Sequence, residues 1–351
     1  MSRPLEDILV IDLSTLLPGP LATAILAAAG ARVIKIERPG GEDMRRMPPV
    51  KNGRSVLYAM LNRGKEVLEL DLKDPRDRAR FEELLARADV LVEQYRPGVL
   101  ARLGLAPDRL LARHPGLVIC SITGFGQTGP LARCAGHDLD YLAATGVLSV
   151  AQRTAEGLPA IPPVLLADIA GGAYPAVIAV LLALLERRRS GRGCHLDVSM
   201  SANLFPLLFA HLAQGLAGEG WPGPGGTLTS GASPRYAVYR TADDRLLAVA
   251  PLEERFWQQF CEAIELPYEL RDDAADPGAT RRAVAERIAA RSAAEWERRF
   301  EGRDVCCMRV HSLEEALAHP QFRDVLRFAP DGLPVLPLPL PSVLVDRRRE
   351  Q

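Results

Sequence analysis

The chain has 351 residues, 48% of them hydrophobic, with 43 basic and 44 acidic side chains. That length suits one large domain plus a smaller one, and the near-zero net charge argues against nucleic acid or an anionic membrane surface as the main partner. Six cysteines without a C-x-x-C pair predict reduced thiols, and the amino terminus has no apolar signal core. The longest apolar helix-like run, at 176–185, is about half of what a bilayer needs. We therefore expect a cytoplasmic protein with no membrane and no nucleic acid among its partners.

The first forty residues alternate between apolar runs and a helix-forming segment. Residues 8–13 and 32–37 are typical of buried strands, and residues 21–29 between them favour a helix with Gly30 at its carboxyl end. The alternation continues, with further strands and helices predicted at 67–72, 75–88, 90–93, 97–113 and 117–122. This order predicts an α/β fold with a parallel sheet, in which ligands bind beyond the carboxyl ends of the strands.

After the last of these strands the pattern changes. A strong helix is predicted at 174–189 and a strand at 195–198, and a Gly- and Pro-rich stretch at 218–234 marks a boundary. A hairpin around Asp243-Asp244 and three helices then predict a smaller α/β domain, and the Pro-rich segment 333–341 predicts an extended strap. The expected organisation is a large domain over 1–217, a small domain over 218–325 and a strap returning to the large domain over 326–351.

Three common kinds of site do not fit the sequence. The loop after the first strand, Leu17-Pro18-Gly19-Pro20, lacks the G-x-G-x-x-G of dinucleotide sites, and proline removes a backbone N–H that would face a pyrophosphate. None of the six histidines pairs at the i, i+4 spacing of a zinc motif, and no G-x-S-x-G elbow of a serine hydrolase occurs. We therefore expect no tightly bound cofactor and no metal.

Gly136-His137-Asp138 follows a Gly-rich loop and precedes a predicted helix over 139–150. One interpretation makes Asp138 the N-cap of that helix and His137 an ordinary loop residue. The other makes His137 a functional group at a binding loop. Spacing alone leaves both interpretations open.

Asp168 lies between an apolar, strand-like run at 165–167 and Gly171-Gly172, which precede the long helix. It is either a helix cap or a desolvated carboxylate with a raised pKa that faces a substrate, the glycines letting that substrate approach the backbone. The residues by themselves favour neither.

A series of short motifs runs along most of the chain. In order, they are Pro18-Gly19-Pro20, Val33-Ile34-Lys35-Ile36-Glu37-Arg38-Pro39, Asn62-Arg63-Gly64-Lys65, Leu70-Asp71-Leu72-Lys73, Tyr95-Arg96-Pro97-Gly98-Val99 and Gly124-Phe125-Gly126-Gln127-Thr128-Gly129-Pro130. Through their order and spacing, roughly residues 5–325 resemble the family III CoA-transferase superfamily. That superfamily contains the formyl-CoA and carnitine CoA-transferases and also the α-methylacyl-CoA racemases, which this chain resembles most in its motifs.

The resemblance implies a fold and a ligand. The family fold is a Rossmann-like large domain plus a small domain, in two subunits interlocked as a homodimer, and the ligand is an acyl-CoA, with coenzyme A as part of the substrate thioester. Three arginines among the implied CoA-binding residues suit its phosphates. Those residues are Arg38, Leu70, Asp71, Leu72, Lys73, Gln94, Tyr95, Arg96, Arg102, Gly136, His137, Asp138, Leu139, Asp140 and Tyr141.

Two chemistries share this fold. The racemases pair an aspartate and a histidine as bases on opposite sides of Cα, with a glutamate that orients the histidine. Asp168, His137 and Glu253 match those positions, which implies a 2-methylacyl-CoA racemase or epimerase that works by 1,1-proton transfer through an enolate. In the transferases the aspartate attacks the thioester, which would make Asp168 the nucleophile that moves CoA between carboxylic acids through an aspartyl-CoA thioester.

Two residues depart from the racemase pattern: Ile169 and Ala170 stand where the racemases have an aromatic residue and a glycine. The alternatives are therefore a racemase, a CoA-transferase, and a CoA-binding protein without turnover. The sequence does not indicate the acyl group.

Overall fold

The computed structural model describes residues 3–345 of the chain. In chain order its strands are β1 (Leu9–Asp12), β2 (Arg32–Glu37), β3 (Val50–Lys51), β4 (Arg54–Ser55), β5 (Glu66–Glu69), β6 (Val90–Glu93), β7 (Val118–Thr123), β8 (His195–Ser199), β9 (Ala237–Arg240), β10 (Leu246–Val249), β11 (Cys307–Arg309), β12 (Arg327–Phe328) and β13 (Pro334–Val335).

The helices are α1 (Pro18–Ala28), α2 (Val56–Asn62), α3 (Pro75–Leu85), α4 (Val99–Arg102), α5 (Pro107–Arg113), α6 (Asp138–Ala144), α7 (Val147–Val150), α8 (Tyr174–Ser190), α9 (Phe209–Leu216), α10 (Glu254–Ala263), α11 (Pro277–Ala289), α12 (Ala293–Phe300) and α13 (Leu313–Ala318). A π-helix, Ala167–Ala173, precedes α8 directly.

The described residues form two compact units, one of residues 3–147, 162–207 and 324–345, the other of 148–161 and 208–323. The predicted domains end slightly later, at 217 and 325. They also place 148–161 in the large domain, whereas those residues group with the second unit. Residues 346–351 of the predicted strap, and residues 1–2, lie outside the described part. The predicted domain limits stay predictions.

The first unit is built on a six-stranded sheet in the order β5-β2-β1-β6-β7-β8, and every neighbouring pair is parallel. The predicted α/β fold with a parallel sheet is confirmed. Strand order reverses between β1 and β6, so the loops that follow these two strands diverge and leave a crevice between them.

Both faces of this sheet are covered, which explains why its strands are continuous apolar runs. On one face, side chains such as Ile11 and Ile119 pack against Phe81 and Leu85 of α3, together with leucines of α4 and α5. On the other face, α1 contacts β1, β2 and β6, while α8 contacts β7 and β8.

The second unit has a three-stranded antiparallel sheet in the order β11-β10-β9. Its core is aromatic: Trp257 stacks on Phe260 with ring centroids 5.8 Å apart, and Trp296 stacks on Phe300 at 5.4 Å. The predicted hairpin around Asp243-Asp244 is the β9–β10 connection.

Three local predictions were wrong. The helix predicted over 139–150 is interrupted between α6 and α7, where Gly146 takes a φ of +83°, a conformation that ends a helix. The helix predicted over 97–113 is likewise two short helices, α4 and α5. The run at 165–167 is not a strand, and Ala167 is already the first residue of the π-helix.

The π-helix and α8 together form the stretch Ala167–Ser190, whose length and apolar composition would allow it to cross a membrane. Core helices buried in a protein can have the same length and composition. Within the first unit it packs on α1 and on the sheet. Its opposite side is apolar and exposed.

Charged side chains are buried at the carboxyl edge of the sheet. Asp12, at the end of β1, accepts a hydrogen bond from Thr23 at 2.6 Å and pairs with Lys65 at 3.2 Å, both side chains of the pair being fully buried. Lys35 donates to the Ser14 carbonyl at 2.7 Å. Burial alone would raise the pKa of Asp12, but Lys65 and Lys35 beside it bring that pKa down to about 2.

We expect Lys65→Met to lower the free energy of unfolding by about 3–5 kcal/mol, because it leaves the Asp12 carboxylate buried without its closest cation. The matched control is Arg32→Met, which breaks the exposed Arg32–Glu66 pair at 2.7 Å and should cost about 0–1 kcal/mol. Urea unfolding of the three proteins measures both changes. Equal losses in the two variants would contradict a dominant role for the buried pair.

Candidate active site

A cavity opens at the carboxyl edge of the parallel sheet, in the crevice between the loops that follow β1 and β6. The segments after β7 and β8 and the Asp168 turn complete its wall. The lining residues are Thr15, Leu16, Pro18, Gln94, Tyr95, Arg96, Pro97, Ile122, Thr123, Gly124, Ala132, Cys134, Ala135, Gly136, His137, Tyr141, Asp168 and Met200. Both residues singled out from sequence, His137 and Asp168, are therefore in one cavity.

The loop after β1 is held tightly against the loop after β6. The Gly19 N–H donates to Oε1 of Gln94 at 3.0 Å. A Cβ added to Gly19 would lie 2.2 Å from the Cβ of Ser14, so only glycine fits this contact. Leu16 takes a φ of +62°, a strained conformation for a leucine, where the backbone borders the cavity.

His137, not Asp138, is the N-cap of α6, so the N-cap interpretation of Asp138 is wrong. The His137 backbone N–H donates to Oδ2 of Asp140 at 2.9 Å, which fixes the start of the helix. The His137 side chain is exposed at the cavity wall, where a substrate can reach it.

Asp138 links the two halves of the site. Its buried carboxylate accepts the backbone N–H of Ala167 at 2.7 Å and that of Asp168 at 3.0 Å. The helix that begins at His137 is thereby tied to the turn that presents Asp168. A residue predicted as a CoA contact is thus a bridge between the two predicted bases.

Asp168 lies in the first turn of the π-helix, which has Leu166 as its N-cap, so Asp168 is not the cap. π-Helical turns are uncommon and occur often at functional sites. Gly171 allows the wide turn to pack closely, because a Cβ there would lie 2.3 Å from the Met200 carbonyl oxygen.

Burial and the nearby charge of Asp138 together raise the pKa of Asp168 to about 6, and His137 acts in the opposite direction. A carboxylate of this kind is ionised at neutral pH and more basic than an exposed aspartate.

Tyr141 forms the floor beneath Gly124 and Gly136. Its hydroxyl donates to the Gly136 carbonyl at 2.6 Å, and its ring meets Phe125 edge-on with centroids 5.1 Å apart. A Cβ at Gly124 would lie 2.3 Å from the ring. Burial raises the pKa of Tyr141, and Asp168 and Asp140 add to this while Arg96 lowers it.

Six of the predicted CoA-binding residues line the cavity: Gln94, Tyr95, Arg96, Gly136, His137 and Tyr141. The others do not. Arg38 is exposed beside Asp43, and Asp71, Lys73, Arg102, Leu139 and Asp140 are also exposed. Leu70 is 2% exposed and packs in the core, so it is buried away from any ligand and its prediction as a CoA contact is not supported.

Glu253 belongs to the second unit. It is the N-cap of α10, with no hydrogen bond from its side chain to the helix, and it is exposed. Its side chain is therefore not engaged in capping. That it orients His137 stays a prediction.

Several cavity residues were missed from the sequence. Met200 directly follows β8, so applying the strand-end rule to the strand predicted at 195–198 would have found it. Leu16 and Cys134 had no comparable signal, because the backbone strain and the loop path that place them depend on tertiary contacts. Within residues 3–345, no group of three or more His, Cys, Asp or Glu side chains is placed to hold a metal ion.

Known proteins match this chain over nearly its whole length. The family model for CoA-transferase family III matches residues 5–332. The chain belongs to CoA-transferase family III. It is 36% identical to the human (Homo sapiens) alpha-methylacyl-CoA racemase over 350 residues, covering 97% of this chain and 86% of that protein.

Other members of CoA-transferase family III match as well. The acetyl-CoA:oxalate CoA-transferase of Acetobacter aceti is 35% identical over 309 residues, covering 84% of this chain and 77% of that protein. The crystal structure of a CaiB/BaiF family protein from Brucella suis superposes with a TM-score of 0.83 and 28% identity, covering 99% of this chain and 94% of that one. The α/β fold with a parallel sheet and the family inferred from the motifs are confirmed.

We expect Asp168→Asn to stabilise this family III protein at pH 7 by about 1–3 kcal/mol, because the folded pKa of Asp168 lies above its unfolded value of 3.8. Folding favours the protonated acid, so the stability from Asp168 is complete below about pH 4 and is lost as the pH rises through 6. The increase in the free energy of unfolding of Asp168→Asn over wild type should therefore be near zero at pH 4, rise with pH, and level off above pH 6. Urea unfolding at several pH values measures it.

The control for this experiment is the exposed Asp7, whose conversion to Asn should change the free energy of unfolding by less than about 0.5 kcal/mol. A gain for Asp168→Asn that stays constant from pH 4 to 7 would show that the pKa of Asp168 is not raised.

Proposed function

We propose that this chain is an acyl-CoA racemase or epimerase that acts on 2-methylacyl-CoA thioesters by 1,1-proton transfer. The observation that supports this most directly is the presence in one cavity of a half-buried carboxylate, Asp168, and an exposed imidazole, His137. Family membership and the 36% identity to a protein named alpha-methylacyl-CoA racemase agree with it.

The mechanism follows from these two groups. One base removes the proton from Cα beside the thioester, an enolate forms, and the conjugate acid of the other base returns a proton to the opposite face. A base works best when its pKa is near the working pH, and the pKa of Asp168, raised to about 6, meets that requirement. Asp138 keeps the two bases at a fixed separation through its bonds to Ala167 and Asp168.

Coenzyme A enters as part of the substrate. The Gln94–Arg96 segment would hold it at the cavity, and Arg38, Arg102 and residues 71–73 would contact it further out, where exposed cations suit phosphates. In this proposal Glu253 orients His137.

The second candidate is a CoA-transferase with Asp168 as nucleophile. It is favoured by the family, which includes a relative named acetyl-CoA:oxalate CoA-transferase at 35% identity. A transferase has no need of an imidazole in the cavity, so the contribution of His137 separates the two chemistries.

The active protein is, in this proposal, an interlocked homodimer. Ile178, Leu182 and Leu185 form an apolar stripe on α8, and each is more than half exposed. Their i, i+4, i+7 spacing puts them on one side of the helix. Large exposed apolar faces mark interaction surfaces, and a second copy of the chain would bury this one.

We expect 2-methylacyl-CoA incubated with the protein in heavy water to take up deuterium at Cα. His137→Ala and Asp168→Asn should each slow exchange by at least about 100-fold, because each removes one of the two bases. His114→Ala, at the amino end of β7 and so at the opposite edge of the sheet, is the control and should exchange at the wild-type rate. Mass spectrometry of the recovered thioester measures uptake.

The same assay with an added dicarboxylate acceptor tests the second candidate. A transferase would move CoA to the acceptor and leave no deuterium in the donor. It would keep this activity in His137→Ala and lose it in Asp168→Asn. That result would replace the racemase proposal with a transferase.

We expect the protein to sediment at twice its 38.2 kDa chain mass and Leu182→Glu to shift it towards the monomer, because a buried unpaired charge is costly. Tyr268→Glu changes a still more exposed side chain away from the α8 stripe and should leave the dimer intact. Analytical ultracentrifugation distinguishes the two states. A monomeric wild-type protein would contradict the dimer proposal.

A further inference from the structure

Three polar side chains form a row across the centre of the parallel sheet, outside the set proposed for catalysis. They are Glu93 on β6, Ser121 on β7 and His195 on β8. Glu93 is the register partner of Ser121, and Ile119, two residues before Ser121, is the partner of His195. Because alternate residues share a face, all three side chains project from the same face. Glu93 and Ser121 are 3% and 1% exposed, and His195 is half-buried.

Hydrogen bonds join the row in a defined direction. Glu93 and Ser121 are register partners on neighbouring strands, so their side chains lie side by side, with the Ser121 hydroxyl facing the Glu93 carboxylate. Burial raises the pKa of Glu93, and donation by this hydroxyl opposes that rise. Oγ of Ser121 also lies 2.9 Å from Nε2 of His195. A serine hydroxyl has one hydrogen, already directed to Glu93, so its oxygen must accept from His195. The imidazole therefore has its hydrogen on Nε2.

The surroundings of His195 favour a neutral ring. Burial lowers the pKa of His195, and the charge of Asp197 on the same strand raises it only in part. The Asp197 carboxylate is itself engaged by the Gln127 N–H at 2.9 Å. A neutral imidazole has a single N–H, and the contact with Ser121 selects Nε2 as its position.

The other end of the row reaches the cavity. Oε2 of Glu93 accepts the backbone N–H of Tyr95 at 2.7 Å, two residues along the chain. Tyr95 and its neighbours Gln94 and Arg96 line the cavity. The carboxylate therefore fixes the first turn of the segment that would hold coenzyme A.

We propose that Glu93, Ser121 and His195 form a positioning relay, in which His195 donates to Ser121, Ser121 donates to Glu93, and Glu93 holds the Gln94–Arg96 segment ready to bind coenzyme A. The inference rests on the proposed function, since it takes that segment as the CoA site. Each donor in the row strengthens the next, because a hydroxyl that accepts a hydrogen bond becomes a better donor. None of the three touches the substrate, so all three are positioning residues.

Two substitutions of one residue test the relay. His195→Gln places an amide N–H where Nε2 was and keeps the donor, whereas His195→Asn places its amide near the position of Nδ1 and loses it. We expect His195→Gln to bind coenzyme A within twofold of wild type. We expect His195→Asn and Ser121→Ala to bind about fivefold more weakly, the equivalent of about 1 kcal/mol for one net hydrogen bond. Isothermal titration calorimetry with coenzyme A measures this.

Further measurements separate positioning from general stability. The KM for the thioester should rise in the weakened variants while kcat stays within twofold of wild type. Thr280→Val removes another buried hydroxyl, one that donates to the Leu270 carbonyl at 2.9 Å in the second unit, and should lower thermal stability without changing CoA affinity. Long-range nitrogen–proton NMR of wild type should show the His195 hydrogen on Nε2.

Equal CoA affinity in His195→Gln and His195→Asn, or an Nδ1–H tautomer, would overturn the relay while leaving the proposed function intact. A wild-type protein that binds no coenzyme A would overturn both. If Ser121→Ala fails to fold, the comparison of His195→Gln with His195→Asn and the tautomer of His195 still test the relay.

Discussion

The burial of charge at the carboxyl edge of the parallel sheet is the constraint on which the site depends. Asp12 ends β1 with no access to solvent, and it is stable there only because Lys65, Lys35 and the hydroxyls around it satisfy the carboxylate. Those same bonds hold the Ser14 backbone, and with it the strained Leu16 that borders the cavity. The loop that follows β1 is therefore fixed by electrostatics within the sheet rather than by its own turn preferences.

A second constraint acts across the cavity. Asp138 is a buried carboxylate, one oxygen of which accepts two backbone N–H groups of the Asp168 turn. Its charge disfavours the charge of Asp168. The charge of Asp138 thus makes Asp168 more basic and lowers the stability of the folded protein. Such a cost in stability is common at functional sites.

The sequence predicts the architecture better than the site. Buried parallel strands are continuous apolar runs, so their order and the α/β fold follow from the pattern around Val33 and Val118. The family motifs then identify His137 and Asp168. The roles of Asp138 and Leu16 could not be predicted, because a short-range pattern gives Asp138 only a capping role and contains no signal for a left-handed leucine. Likewise the π-helix at Asp168 depends on the contact between Gly171 and Met200, which are far apart in sequence.

The site and the relay meet in the segment after β6. One end of that segment, Gln94, is bound by Gly19 from the loop after β1, and Tyr95 is bound by Glu93. The crevice at the reversal of strand order would otherwise be a gap between two diverging loops. Because the segment is held from both sides before any ligand arrives, little of its backbone freedom remains to be lost on binding. If coenzyme A binds there as proposed, its affinity is gained without new contacts. His195, half-buried at the far end of the polar row, is then the residue through which this preorganisation can be changed without altering a residue that lines the cavity.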